Sequence, residues 1–153
     1  MREVTEQDLS ACCASPAWVA AIAVGRPYPD RTALETAAAA AFDGLSWDDI
    51  AQAMAAHPRI GEPPKGDGRE AAWSRREQSG AGRSPELVEA NRRYEDRFGH
   101  VFLIFASGRT EAEIVAAARE RLGNDDATER GIVRDELRKI VMLRLGRLLD
   151  ALG

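Results

Sequence analysis

Ala55-Ala56-His57-Pro58-Arg59-Ile60-Gly61-Glu62 follows an apolar, helix-forming segment and decides where that helix must end. Pro58 disfavours the α conformation at the residue before it, so we expect the helix to end at or before His57. Gly61 permits the backbone angles that let a chain turn back. An imidazole titrates near neutral pH and can exchange a proton with a ligand in a pocket. Alternatively, His57 only caps the last carbonyl groups of the helix.

The composition is that of an ordinary globular protein. The chain has 153 residues, of which 44% are apolar and 30% charged, and its net charge is −4. We therefore predict a single domain over residues 1–153, large enough for a hydrophobic core. The arginines are scattered among acids, which disfavours a nucleic-acid or membrane-surface partner. No apolar run approaches the roughly 20 residues that span a bilayer.

The cysteines and histidines disfavour a metal centre. Cys12 and Cys13 are adjacent and have no metal-type spacing, and His57 and His100 are the only histidines. A reducing compartment is the simplest interpretation of two neighbouring cysteines, which we expect to be small buried hydrophobic groups. The first residues contain no apolar signal core. The sequence therefore predicts a cytoplasmic protein without a bound metal.

Capping residues and helical spacing predict an all-α bundle of about seven to eight helices. Ser, Thr or Asp stands before most of the predicted helices, and Gly or Pro follows several of them. A loop is predicted at residues 62–68, and Gly80-Ala81-Gly82 is expected to close the helix before it. The predicted helices cover approximately residues 5–14, 17–24, 32–44, 46–57, 70–79, 85–98, 110–122 and 127–149.

One short segment does not have a helical pattern. His100-Val101-Phe102-Leu103-Ile104-Phe105-Ala106 contains six apolar residues in succession, rich in β-branched and aromatic types. Such a run favours an extended conformation, but no second strand is available to pair with its backbone N–H and C=O groups. Those groups need other partners. Either side chains and water satisfy them, or a ligand with amide edges does.

Two polar features fall on predicted helices. Ser74, Glu77 and Gln78 are spaced so that they share one helix face, which either lines a polar pocket or is simply solvated. Arg144 falls on the apolar stripe of the last helix, seven residues after Leu137. A guanidinium on a core-facing stripe needs an anionic partner, unless its long side chain reaches the surface.

Several motifs together resemble one family, the OHCU decarboxylases, in which OHCU is 2-oxo-4-hydroxy-4-carboxy-5-ureidoimidazoline. The resemblance spans nearly the whole chain, in order and without large gaps. The matching stretches are Ser15-Pro16-Ala17-Trp18-Val19, Arg26-Pro27-Tyr28, His57-Pro58-Arg59-Ile60-Gly61, the segments 73–80 and 98–109, Glu136-Leu137-Arg138-Lys139-Ile140 and Leu143-Arg144-Leu145.

The resemblance implies a carboxy-lyase without a cofactor, usually a homodimer, that converts OHCU to (S)-allantoin and carbon dioxide in urate degradation. His57 matches the family's catalytic proton donor, and Glu77 and Arg144 match acid and base residues near the bound ring. The positions that match substrate-binding residues are Pro58, Ser74, Arg75, Arg76, Glu77, Gln78, Phe102, Leu103, Ile104, Phe105 and Ala106, with Arg109 as a further candidate.

Two other interpretations compete with the enzyme. A non-enzymatic helical binding module would use the same apolar faces and would need none of these polar residues. A metal-dependent hydrolase would need a cluster of ligands that two separate histidines do not provide.

Overall fold

The computed structural model describes residues 4–62, 68–78 and 84–153. Over these residues the chain forms eight helices and no strand, so the predicted all-α class is confirmed. Most of the loop predicted at 62–68 lies outside the described residues, as do the last residue of the predicted helix, Ser79, and the predicted closure at Gly80-Ala81-Gly82. The helices are α1 (Glu6–Cys12), α2 (Pro16–Val24), α3 (Arg31–Asp43), α4 (Trp47–Met54), α5 (Arg69–Glu77), α6 (Pro85–Phe98), α7 (Glu111–Arg121) and α8 (Asp126–Leu152).

The predicted capping residues begin these helices as expected. Each of five hydroxyl side chains accepts a hydrogen bond from the backbone N–H three residues later, and three of the five form a complete capping box. An accepted bond of this kind satisfies an N–H group that the helix itself cannot use. The five capping residues are Thr5, Ser15, Ser46, Ser84 and Thr110.

The chain forms two compact units. The terminal unit comprises the residues up to Ala56 and those from Arg138 onwards, and the central unit comprises residues 57–137. α8 contributes residues to both units. The expectation of one domain over residues 1–153 stays a prediction.

In the terminal unit, α1 packs on α2 and α2 on α3. The indole N–H of the fully buried Trp18 donates to the carbonyl of Ala38 at 3.0 Å, which joins α2 to α3. Arg31 forms ion pairs with Glu35 and with Asp150, so α3 is also attached to the end of α8. Cys12 and Cys13 are buried thiols, as predicted.

In the central unit, α6 packs on α7. Its core includes Leu87, Tyr94 and Ile114, none of which is exposed, together with part of the apolar segment 101–106. That segment lies outside any helix or strand, in agreement with its non-helical pattern, while the extended conformation that its composition favours stays a prediction. No helix in the described residues is both long enough and apolar enough to cross a membrane.

Candidate active site

The His57 segment turns as the sequence predicted. α4 ends at Met54, and the half-buried His57 lies two residues beyond the capping residue Ala55. The N–H of Glu62 donates to the carbonyl of Arg59 at 3.0 Å. Gly61 has φ 89°, and no residue other than glycine has positive φ in the described chain. These features define a type II turn over residues 59–62, in which the third residue must adopt positive φ.

A side chain of α6 and the C-cap residue of α5 hold this turn. The amide nitrogen Nδ2 of Asn91 donates to the carbonyl of Ile60 at 2.8 Å. The amide oxygen Oε1 of Gln78 accepts the N–H of Gly61 at 3.0 Å. Gln78 was predicted to bind substrate, and in this structure its oxygen is engaged with the turn, which leaves its Nε2 as a donor.

The predicted polar face of α5 is buried rather than solvated. Ser74 is 5% exposed and Glu77 is 6% exposed, so the alternative of a solvated face is wrong for these two residues. Both residues also have interaction partners. Arg75 and Arg76 lie on the exposed side of the same helix. The structure therefore separates the predicted binding residues of α5 into an inward pair and an outward pair.

Side chains satisfy one set of backbone groups in the apolar segment. Arg121 Nη1 donates to the carbonyl of Leu103 at 2.8 Å, and Glu136 accepts the N–H of Phe105 at 3.2 Å. The predicted binding residue Arg109 donates through Nε to the carbonyl of Phe105 at 2.9 Å. Of the two alternatives left open by the sequence, satisfaction by side chains therefore holds at Leu103 and Phe105.

The intervening residues of the segment differ. Phe102 and Ile104 are 2% and 3% exposed, and the described part of the chain offers no hydrogen-bond partner to their backbone groups. Buried N–H and C=O groups are nearly always paired in folded proteins. These groups can therefore receive the amide edges of a small molecule, which is the other alternative.

A buried ionic network supports this segment. Glu129, only 1% exposed, accepts from Arg121 Nε at 2.8 Å and from the hydroxyl of Tyr94. Arg121 is 6% exposed and also lies over the ring of Phe102. Burial is the main cause that raises the pKa of Tyr94, and its hydrogen bond to Glu129 acts in the same direction. Tyr94 is therefore a neutral hydrogen-bond donor at any physiological pH.

Arg144 is the one catalytic candidate that belongs to the terminal unit. It is 5% exposed, which excludes the alternative that its guanidinium reaches solvent. Burial raises the pKa of the Cys13 thiol to about 11, partly offset by a hydrogen bond with Ser15 and by the charge of Arg144. Arg144 therefore places a positive charge inside the unit, as its position on the apolar stripe predicted.

Three buried polar side chains that support the turn and the apolar segment are absent from the sequence predictions, although a signal exists for each. Asn91 lies four residues after Leu87, and Arg121 lies three residues after Ala118, so both interrupt apolar stripes as Arg144 does. Glu129 likewise lies four residues before the buried Val133. The shared signal is a polar residue at a core-facing position of an apolar stripe.

A metal site has no support in the part of the chain that the structure describes. Within residues 4–62, 68–78 and 84–153, no three His, Cys, Asp or Glu side chains are grouped so that they could hold a metal ion.

A cavity of about 240 Å³ lies beside the turn of residues 59–62. It is lined by residues 59–62 and by Leu87, Val88, Asn91, Arg92 and Glu95.

Comparison with known proteins identifies related chains. The sequence profile of OHCU decarboxylase matches residues 2–146. The "Uric acid degradation bifunctional protein TTL" of Arabidopsis thaliana is 34% identical over 95% of this chain, which spans about half (48%) of that relative's length. The 2-oxo-4-hydroxy-4-carboxy-5-ureidoimidazoline decarboxylase of Amia calva is 32% identical over 85% of this chain and 78% of its own.

Solved structures agree with these sequence matches. A crystal structure of an OHCU decarboxylase in the presence of (S)-allantoin superimposes with a TM-score of 0.79 at 30% identity, covering 95% of this chain and 99% of the other. The crystal structure of an (S)-allantoin synthase superimposes with a TM-score of 0.65 at 19% identity, covering 94% of this chain and 49% of the other. The second similarity shows the fold alone.

Proposed function

The chain belongs to the OHCU decarboxylase family, and on that basis we propose that it converts OHCU to (S)-allantoin and carbon dioxide without a cofactor. The observation that carries the proposal is the similarity to an OHCU decarboxylase crystallised in the presence of (S)-allantoin, which extends over nearly the full length of both chains. The substrate is a small purine-derived acid, and the enzyme is a carboxy-lyase of urate degradation.

The substrate itself can supply the electron sink for this reaction. Its carboxylate is attached to a ring carbon beside a C=N bond. When the bond to carbon dioxide breaks, the electron pair forms a C=C bond and the C=N electrons move onto nitrogen, which takes up a proton. The product is an enol; protonation of the carbon that bears the ureido group, with loss of the enol O–H proton to solvent or to a base, then gives the ring carbonyl of allantoin. Delivery of that proton to one face determines the (S) configuration.

His57 is proposed to carry out the proton transfer. An imidazole exchanges protons efficiently near neutral pH, and the half-buried side chain follows the end of α4 in a turn. The buried Glu77 either orients this imidazole or accepts a hydrogen bond from a ring nitrogen. Arg144 is proposed to pair with substrate oxygens, because a positive charge stabilises the negative charge that develops during decarboxylation.

The remaining predicted residues are proposed to bind and orient the substrate. The backbone groups of Phe102 and Ile104, for which the described residues offer no hydrogen-bond partner, fit the amide edges of the ring and the ureido group. The Nε2 donor of Gln78 fits a substrate carbonyl. The other proposed contacts come from Pro58, Ser74, Arg75, Arg76, Leu103, Phe105, Ala106 and Arg109.

Two further expectations remain proposals. A homodimer follows from the resemblance alone, and its direct test is the molar mass in solution. A cytoplasmic location is supported by Cys12 and Cys13, which are buried as thiols rather than joined in disulfides, the usual state of cysteine in a reducing compartment.

The decisive experiment follows the optical activity of allantoin formed from freshly generated OHCU, with and without the protein. We expect the parent protein to accelerate OHCU decay and to give the pure (S) form. His57→Asn should lower the rate by about 10²- to 10⁴-fold, the usual contribution of general acid–base catalysis, with an unchanged circular dichroism spectrum. His100→Asn is the matched control, because it removes the only other imidazole.

Each rival interpretation predicts a different result. Unchanged OHCU decay in the presence of the parent protein would favour a binding module without enzymatic activity. A loss of activity on treatment with a chelator would favour a metal-dependent enzyme. Equal rates for the parent protein and His57→Asn would show that another group transfers the proton.

A further inference from the structure

We propose that Asn91 is a positioning residue that, together with Gln78, fixes the orientation of the turn following His57. The inference rests on the proposed function, because it assigns the purpose of the turn to the placement of the His57 imidazole. It concerns one peptide unit, the one that joins Ile60 to Gly61. The carbonyl of that unit accepts from Asn91 Nδ2 at 2.8 Å, and its N–H donates to Gln78 Oε1 at 3.0 Å.

This peptide unit is the one that distinguishes the two common turn types. Type I and type II turns differ mainly by a flip of the central peptide, and the type II form requires positive φ at the third residue. Gly61 has φ 89°, as the type II form requires. A donor on the carbonyl side and an acceptor on the N–H side stabilise this orientation, because a flipped peptide would direct like groups at each other unless both side-chain amides also rotated.

Asn91 occupies a core-facing position at which an apolar residue would be expected, and the role in the turn explains its polar side chain. It is 7% exposed on the core-facing stripe of α6, four residues after Leu87 and three before Tyr94. Within the described residues, nothing donates to its Oδ1, although that atom is buried. A buried acceptor without a partner disfavours folding. The asparagine is therefore explained by its Nδ2 donor, whose partner is the turn.

The orientation of the turn affects the placement of the His57 side chain, because few freely rotatable backbone dihedral angles lie between the two. Only Pro58 and Arg59 separate His57 from the turn's central residues, and the proline ring fixes one backbone angle and restricts the residue before it. The cavity of about 240 Å³ beside residues 59–62 leaves room for the turn to change conformation. We therefore expect loss of the Asn91 donor to let the turn shift.

The test compares Asn91→Asp, Asn91→Ala and the matched control Arg93→Ala, which changes an exposed residue on the same helix. Asn91→Asp keeps the shape but replaces the donor with an acceptor. We expect kcat for OHCU decarboxylation to fall by about ten- to a hundredfold for both Asn91 variants with KM nearly unchanged, because small misplacements of a reacting group have effects of that size. Arg93→Ala should match the parent.

A second measurement does not depend on activity. The imidazole signals of His57 and His100 can be followed by NMR and assigned with His57→Asn. We expect the His57 signal and its titration to shift in both Asn91 variants, while those of His100 stay in place. Unchanged His57 signals, or equal shifts at both histidines, would overturn the role of Asn91. If the parent fails to accelerate OHCU decay, the proposed function fails, but the NMR result still decides whether Asn91 positions His57.

Discussion

Replacing Glu129 by Gln removes one charge from the buried ionic network without changing the size of the side chain. In the parent, the Glu129 carboxylate accepts hydrogen bonds from the Arg121 guanidinium, the Tyr94 hydroxyl and the Asn124 amide. Glu129 is 1% exposed and Arg121 is 6% exposed. The substitution therefore leaves the buried Arg121 guanidinium without its counter-charge. The NH₂ group that it introduces is a donor and faces three other hydrogen-bond donor groups.

The expected loss of stability is large. Leaving one member of a buried ion pair uncompensated costs about 3–5 kcal/mol, and the retained amide oxygen places Glu129→Gln near the lower end. A domain of this size has a free energy of unfolding of about 5–15 kcal/mol, so the loss is a substantial fraction of the total. A shift of about 2–4 °C per kcal/mol gives a fall in Tm of roughly ten degrees.

Urea denaturation followed by circular dichroism measures this loss directly. Asp43→Asn is the matched control, because it breaks an exposed ion pair in which Asp43 accepts from Arg138 Nε at 2.9 Å. Exposed pairs contribute at most about 1 kcal/mol, so this variant should remain close to the parent. A Glu129→Gln midpoint no lower than that of Asp43→Asn would refute the argument that the network is electrostatically important.

Two further predictions concern backbone strain and pH. Gly61→Ala and Gly99→Ala both place a side chain at positive φ, 89° and 81°, and each variant should lose about 1–2 kcal/mol of its free energy of unfolding in urea. Only Gly61→Ala should also reduce the rate at which the protein decarboxylates OHCU. Equal decarboxylation rates for the two variants would contradict a role for the turn. Burial raises the Cys13 pKa from 9.0 to about 11, so the unfolded chain loses its thiol proton first as the pH rises, and the free energy of unfolding should fall between pH 9 and 11. Cys13→Ala should reduce that fall by up to about 2 kcal/mol. Parallel plots of the free energy of unfolding against pH for the parent and the variant would refute the raised pKa of Cys13.

Local signals in the sequence predicted the helices because capping acts over only a few residues. The hydroxyl of Ser84 and the ring of Pro85 define the start of α6 without reference to the rest of the chain, and the structure has both in those roles. The first helix was expected to extend to about residue 14 but ends at Cys12, since Cys13 already has an extended backbone, with φ −152°. The error amounts to half a turn.

The pairing of buried polar groups could not be predicted in the same way. Asn91 meets Ile60 across 31 positions of sequence, and Glu136 meets Phe105 across the same separation. Helical spacing shows that Glu77 shares a face with Ser74, but it does not show whether that face is covered. The solvated alternative was wrong there because burial depends on the packing of distant segments, which no local pattern encodes.

The order in which the apolar segment and its partners are synthesised has a consequence for expression. Arg121 and Glu136, which bind the backbone of residues 103 and 105, follow them by 18 and 31 positions. A nascent chain therefore exposes an uncharged, β-branched and aromatic run before either partner has left the ribosome. Such runs associate with copies of themselves. Parent and variants expose this run equally on the ribosome, but only variants at Arg121 or Glu136 still lack its partner after release, so slower translation at low temperature would not make them soluble.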